Sequence, residues 1–155
     1  MSLTQAFQAL ERLEQAMAGF YERLAQVHAG DAEAARLFTR LAIEEHAHAR
    51  EVALQRRLTM QISEPDFPAA VDPADILRVL EEVGVAAGAI PRISLDKALD
   101  LAAAFESSAA EAHYRGILSG MDTGMSRLVT ALGHGDRDHR ARLVSFAAAR
   151  GIALP

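Results

Sequence analysis

Two short strings in the chain pair a carboxylate with a histidine three residues later: Glu45-His46-Ala47-His48 and Asp136-Arg137-Asp138-His139. Residues three apart share a face of a helix, so each string can direct a carboxylate oxygen and an imidazole nitrogen at one point. These atoms are ligands for iron, manganese or zinc. Two such pairs on two helices, with one carboxylate from each of two further helices, form a dinuclear metal centre in four-helix bundles.

The composition indicates a globular, helical protein of one domain, residues 1–155. Half of the residues are hydrophobic and 24% are charged, and the abundant Ala, Leu, Glu and Arg favour helices. A net charge of -5 argues against nucleic acid and membranes as partners, and no apolar run approaches the roughly 18 residues of a membrane span. The absence of cysteine excludes disulfides, thiolate catalysis and iron–sulfur clusters, and we expect a cytoplasmic protein.

Four long helices are predicted from the apolar periodicity, over residues 3–28, 32–59, 95–118 and 124–149. Asp31 and Ser94 are the expected N-caps of the second and third helices, and Gly151 is the expected stop of the fourth. Short turns join the first two helices and the last two. The fold class is therefore all-α, with two antiparallel helical hairpins.

A long crossover, at about residues 61–93, separates the two hairpins. It holds four of the five prolines, and a short helix is predicted over residues 73–83, with Asp72 as N-cap and Pro73 at the first helical position. A single long connection between two helical hairpins is the topology of a ferritin-like four-helix bundle.

Projecting each helix at about 100° per residue places acids and histidines inside the apolar stripes. Each stripe contains one carboxylate, and in two stripes a histidine follows that carboxylate by three residues, giving the set Glu14, Glu45, His48, Glu106, Asp136 and His139. The neighbouring His46, His134 and Asp138 point away. Burying four negative charges requires positive charge, and no Lys or Arg lies on the stripes near these positions. We therefore predict two metal ions. Iron is favoured because an iron pair exchanges electrons with peroxide or dioxygen, and manganese or zinc also fits the donors.

With these residues identified, the chain resembles the rubrerythrin-like branch of the ferritin-like superfamily over nearly its whole length. In the first hairpin the resemblance rests on the stretch EQAMAGFY, from Glu14 to Tyr21, and on AIEEHAH, which ends at His48. In the second hairpin it rests on Glu106, eight residues before Tyr114, and on the final carboxylate-x-x-His string.

The resemblance implies a non-haem di-iron centre that reduces hydrogen peroxide or dioxygen. Glu45 and Asp136 would be the bridging carboxylates, Glu14 and Glu106 the terminal ones, and His48 and His139 would ligate one iron each. A ferroxidase or iron-handling protein would use the same site. A metal-binding bundle without catalysis, holding zinc or no metal, is the third interpretation.

The chain departs from the rubrerythrin pattern in three ways. Ala109 stands where rubrerythrins have a second glutamate, and Asp136 is one methylene shorter than the usual glutamate. Gly133 and Gly135 precede Asp136 and would permit a helix shift that brings it closer. The chain has no cysteine-rich rubredoxin-like tail, so a peroxidase would need a separate electron donor.

Three further residues of the stripes are interpreted as neighbours of the site: Tyr21, His113 and Tyr114. The tyrosines are expected to pack in the core with their hydroxyl groups reaching a buried acid, and His113 to bond a carboxylate or the backbone. A direct role beside the metal is the alternative for all three. Because no helices suited to building a large shell are evident, we expect a small homo-oligomer, with a dimer favoured.

Overall fold

The computed structural model describes residues 3–62, 73–117 and 123–154, without the side chains at 3, 59, 62, 73, 89, 92, 111–117, 123–126 and 129. The described chain is entirely helical, which confirms the all-α prediction. Its elements are α1 (Leu3–Val27), α2 (Ala32–Ile62), α3 (Pro73–Ala89), a 3-10 turn (Ile90–Arg92), α4 (Leu95–Ile117) and α5 (Thr123–Ala149). The expectations for His113 and Tyr114 concern side chains outside this description.

Local signals place the start of α2 and the end of α5 where the sequence predicts them. The Oδ1 atom of Asp31 accepts hydrogen bonds of 3.1 and 3.2 Å from two N–H groups in the first turn of α2. At the end of α5, Gly151 has a φ of 69°, and the N–H of Ile152 donates to the carbonyl of Ala147 at 2.9 Å. Glycine adopts this left-handed conformation more readily than other residues because it has no Cβ atom.

Side-chain contacts give the directions of the helices. Helices α1 and α2 are antiparallel, because the residue number in α2 rises as the number in α1 falls. The contacts that show this are Glu22–His46, Glu14–His48 and Glu11–Arg56. Between α2 and α5 the order is also reversed, in Asp31–Arg150, Glu44–Arg142 and Glu45–His139. Helices α4 and α5 pack along each other and are joined by five residues, so they too are antiparallel. Consequently α2 and α4 run in the same direction, and residues 63–94 connect them.

Helix α3 lies within that connection and packs on α1 and α4. Its buried side chains are Ile76, Val79 and Val83. The predicted range of 73–83 is too short, because α3 continues to Ala89. Glycines 84 and 88 have low helix propensity, but the intervening Ala86 and Ala87 pack against the core and the helix continues.

One hydrophobic core runs through the described helices. It contains side chains from all five, and large ones among them are Phe7, Phe20, Tyr21, Phe38, Ile76 and Leu99. None of the described helices has the length and apolar character needed to cross a lipid bilayer.

Candidate metal centre

Within the described part of the chain, the buried polar and charged residues are Glu14, Glu45, Glu106, Asp136 and His139. These are five of the six ligands predicted from the sequence, and the side chain of the sixth, His48, is 16% exposed. By contrast, the side chains of the neighbouring Glu22 and His46 are 53% and 45% exposed. The helical projection therefore assigned the inward residues correctly.

The first group of ligand atoms, here the α1–α2 group, comprises Glu14, Glu45 and His48. One ligand atom from each lies within 4.8 Å of the others. The Nδ1 atom of His48 is 3.2 Å from Oε2 of Glu45 and 3.4 Å from Oε2 of Glu14. The three-residue spacing of Glu45 and His48 on α2 brings both toward the glutamate of α1.

The second group, here the inter-hairpin group, comprises Glu45, Glu106 and His139, again within 4.8 Å. The Nδ1 atom of His139 is 2.8 Å from Oε1 of Glu45 and 3.3 Å from Oε1 of Glu106. Since these residues come from α2, α4 and α5, this group forms only when the two hairpins pack together.

Glu45 belongs to both groups, and its two oxygens face different histidines. Oε2 faces His48 and Oε1 faces His139, while the two imidazole rings stack with centroids 5.4 Å apart. Each group thus has one histidine and one glutamate of its own and shares one carboxylate. The arrangement could hold two metal ions side by side, with Glu45 between them.

The histidines offset part of the negative charge of the metal-free site. Burial opposes their protonation, but hydrogen bonds to buried glutamates raise the pKa of His48 and of His139 to about 10. Burial also opposes ionisation of Glu45, but the histidine hydrogen bonds outweigh it and lower the pKa of that carboxyl group. The two imidazolium groups therefore supply positive charge that the sequence analysis assigned to metal alone. Only a deprotonated Nδ1 can ligate, so a metal would replace these protons.

Glu106 has one oxygen engaged and one available. The Tyr21 hydroxyl group donates to its Oε1 atom, as expected of a packed tyrosine that reaches a buried acid. Its Oε2 atom is buried and has no hydrogen-bond partner among the described residues. Burial, together with the charges of Glu45 and Asp136, raises the pKa of Glu106. A buried oxygen without a partner is costly in a metal-free chain, so this carboxyl group fits the role of a metal ligand.

Asp136 is buried, with 2% of its surface exposed, and its charge raises the pKa of Glu106 after the larger effect of burial. The two ligand groups found among the described residues do not include its oxygens. The structure thus brings five of the six predicted residues into ligand groups and places Asp136 beside them. Its bridging role stays a prediction.

Glu44 and Arg142 also belong to the site and are not among the residues predicted from the sequence. Glu44 Oε2 lies 3.0 Å from Nε2 of His139, on the side of the ring opposite to Glu45. Arg142 holds both Glu44 oxygens, and Arg40 also donates to Glu44 at 3.0 Å. The hydrogen bond from Arg142, followed by other arginine contacts, lowers the pKa of Glu44 to about 2.

These contacts orient the His139 ring. An ionised Glu44 accepts the Nε2 proton, and Nδ1 is then directed at Glu45 and Glu106. The sequence signal that could have identified Glu44 and Arg142 is their position relative to the predicted ligands. Glu44 precedes Glu45 at the edge of the apolar stripe, and Arg142 follows His139 by three residues, on the same face of α5.

No protein-family model, curated protein or solved structure matches the chain. A functional assignment therefore depends on the geometry of these residues.

Proposed function

We propose that the protein is a non-haem di-iron oxidoreductase, built on a ferritin-like bundle, that reduces hydrogen peroxide or dioxygen. The observation that carries the proposal is the position of Glu45, whose two oxygens each face a different histidine. The resemblance of the motifs to rubrerythrins and the parallel course of α2 and α4 support the same assignment.

The residues present fit a pair of iron ions. Glu14 and His48 would hold one ion, Glu106 and His139 the other, and Glu45 would contact both. When bound, an iron pair supplies the electrons for reduction of peroxide or dioxygen. Carboxylate and imidazole donors suit iron, as they also suit manganese and zinc.

The chain's own groups provide the surroundings that such a reaction needs. The hydroxyl group of Tyr21 orients Glu106, and Glu44 orients His139. Glu14, Glu45 and Glu106 are almost completely removed from solvent. His48 is the most exposed of the ligand set, so a small oxidant would approach from its side. Residues 1–155 contain no cysteine for an iron–sulfur donor, so the electrons would come from a donor outside these residues.

The same proposal includes a small homo-oligomer, with a dimer favoured. Exposed apolar side chains on α2, Ile43, Leu54 and Leu58, offer surface for a second copy. Light scattering would measure the assembly and separate a dimer from a large shell.

Iron content and reactivity test the proposed function. Protein made under iron-replete conditions is expected to contain about two iron ions per chain and to show a ferric-oxo absorption band. After anaerobic reduction, that band should return on addition of one equivalent of hydrogen peroxide per site. Replacing Glu45 by glutamine removes the shared carboxylate and is expected to abolish both the iron and the band.

Glu22→Gln is the matched control, because Glu22 is exposed on α1 and pairs with the surface residue His46. This variant should retain the iron of the wild type. Retention of iron by Glu45→Gln would overturn the site assignment, and zinc in place of iron in the wild type would overturn the chemistry. Reoxidation by dioxygen with release of ferric iron would indicate a ferroxidase instead.

A further inference from the structure

Gly135 on α5 lies directly against the imidazole ring of His48 on α2. A Cβ atom at position 135 would stand 2.6 Å from Cε1 and 2.9 Å from Nε2 of that ring. By contrast, a Cβ added to the other glycines whose surroundings the structure describes, Gly19, Gly30, Gly84, Gly88 and Gly151, would meet nothing within 4 Å. The helix shift that the sequence predicts at Gly133 and Gly135 stays a prediction, and in the structure Gly135 leaves space for the ring of a predicted ligand.

A side chain at position 135 would displace the ring rather than the helices. The backbones of α2 and α5 are held together by the pairing of Glu44 with Arg142 and by the contact of Glu45 with His139. The imidazole of His48 is the end of a side chain and can turn about its own torsions. Turning it away from α5 would move Nδ1 from its positions 3.2 Å from Glu45 and 3.4 Å from Glu14.

The two histidines are held in different ways. His139 is 1% exposed and is contacted on both ring nitrogens, with Glu44 at Nε2 and Glu45 at Nδ1. His48 is 16% exposed, and its contacts with Glu14 and Glu45 both involve Nδ1. Thus the His139 ring is held by a hydrogen bond to the charged carboxylate of Glu44, whereas the His48 ring lies against the backbone at Gly135.

We propose that the absence of a side chain at Gly135 leaves the space that His48 needs to take its position as a ligand. We also propose that the α1–α2 group therefore holds the more labile of two metal ions. The statement about the ions rests on the proposed function. The statement about the ring does not, because the ring position can be measured in the metal-free chain.

Gly135→Ala tests the inference, with Gly84→Ala as the matched control because it also adds one methyl group to a helix but into open space. Zn²⁺ is a suitable probe, since it has no redox chemistry. In equilibrium dialysis, wild type and Gly84→Ala should bind about two Zn²⁺ per chain and Gly135→Ala about one. His48→Ala should match Gly135→Ala, and the double variant should lose no further ion.

A second measurement uses the metal-free proteins. The imidazole resonances of His48 should shift more in Gly135→Ala than those of the stacked His139 ring, and the helical circular dichroism should be retained because alanine favours helix over glycine. Unchanged His48 resonances, two tightly bound Zn²⁺ in Gly135→Ala, or failure of that variant to fold would each overturn the inference. Absence of Zn²⁺ from the wild type, with the His48 shift present, would contradict the proposed function and the placement of the more labile ion, whereas the positioning of the His48 ring by Gly135 would stand.

Discussion

The imidazole rings of His48 and His139 stack between the two hairpins, with ring centroids 5.4 Å apart and ring planes inclined by 17°. One ring belongs to α2 and the other to α5, so the two hairpins meet where the rings meet. Both Nδ1 atoms are directed at Glu45. Packing of the hairpins and assembly of the inter-hairpin group are therefore the same event, and metal binding should stabilise the folded chain.

Replacing Tyr21 by phenylalanine isolates the hydroxyl group that donates to Glu106. The ring can still pack against Phe20 and Phe38, with centroids 5.6 and 6.3 Å away. Leaving Glu106 without this donor should lower the free energy of unfolding of the metal-free protein by about 1–3 kcal/mol. Urea denaturation in the presence of a chelator measures the change.

Combining Tyr21→Phe with Glu106→Gln provides the control for this prediction. If the cost comes from the hydrogen bond, the two substitutions together should cost less than the sum of the single effects. Additive costs would mean that the hydroxyl group stabilises the protein through some other contact.

Replacing Glu44 by glutamine should weaken metal binding although Glu44 is not a member of either ligand group. The neutral amide loses the ion pair with Arg142 and holds the Nε2 proton of His139 less strongly. Removing a carboxylate that orients a ligand histidine should reduce the metal affinity of the inter-hairpin group by about 10- to 100-fold. Competition with a coloured chelator measures this affinity.

Glu51→Gln is the comparison for Glu44→Gln, because Glu51 is exposed on the same helix. This variant should bind metal like the wild type. Equal affinities for the two variants would show that Glu44 does not position His139.

Asp31 should stabilise the protein in a pH-dependent way. Hydrogen bonds from Arg150, of 2.6 and 3.0 Å, together with the helix-capping N–H groups, hold the pKa of Asp31 well below its usual range. A carboxyl group with a lowered folded-state pKa contributes fully above its unfolded pKa of about 3.9. That contribution is lost as the pH falls through the lower pKa of the folded state.

We therefore expect Asp31→Asn to lower the thermal midpoint at pH 7, where the wild-type carboxylate is charged. The difference between variant and wild type should shrink as the pH falls below about 4. Thermal melts across this range measure it. Asp100→Asn is the control, since Asp100 pairs with Lys97 within α4 and joins no two helices. A difference for Asp31→Asn that is the same at pH 7 and pH 3 would refute the charge-based explanation.

Helix ends and inward-facing residues could be predicted from the sequence because both depend on local rules. The cap at Asp31 and the stop at Gly151 each involve atoms within a few residues along the chain. The burial of Glu14, Glu45 and Glu106 follows from the helical period, which sets the face on which each residue lies. These rules were sufficient to identify five buried polar residues before any distance was known.

Only the tertiary structure decided what those residues contact. The division of the two Glu45 oxygens between His48 and His139, and the support of His139 by Glu44, join positions 94 and 95 residues apart. The space beside Gly135 likewise depends on how closely α2 and α5 approach. Helical periodicity specifies a direction around one axis and contains no information on the distance between axes. That distance is set by the packing of the whole core, and it determines which of the inward residues form the ligand groups.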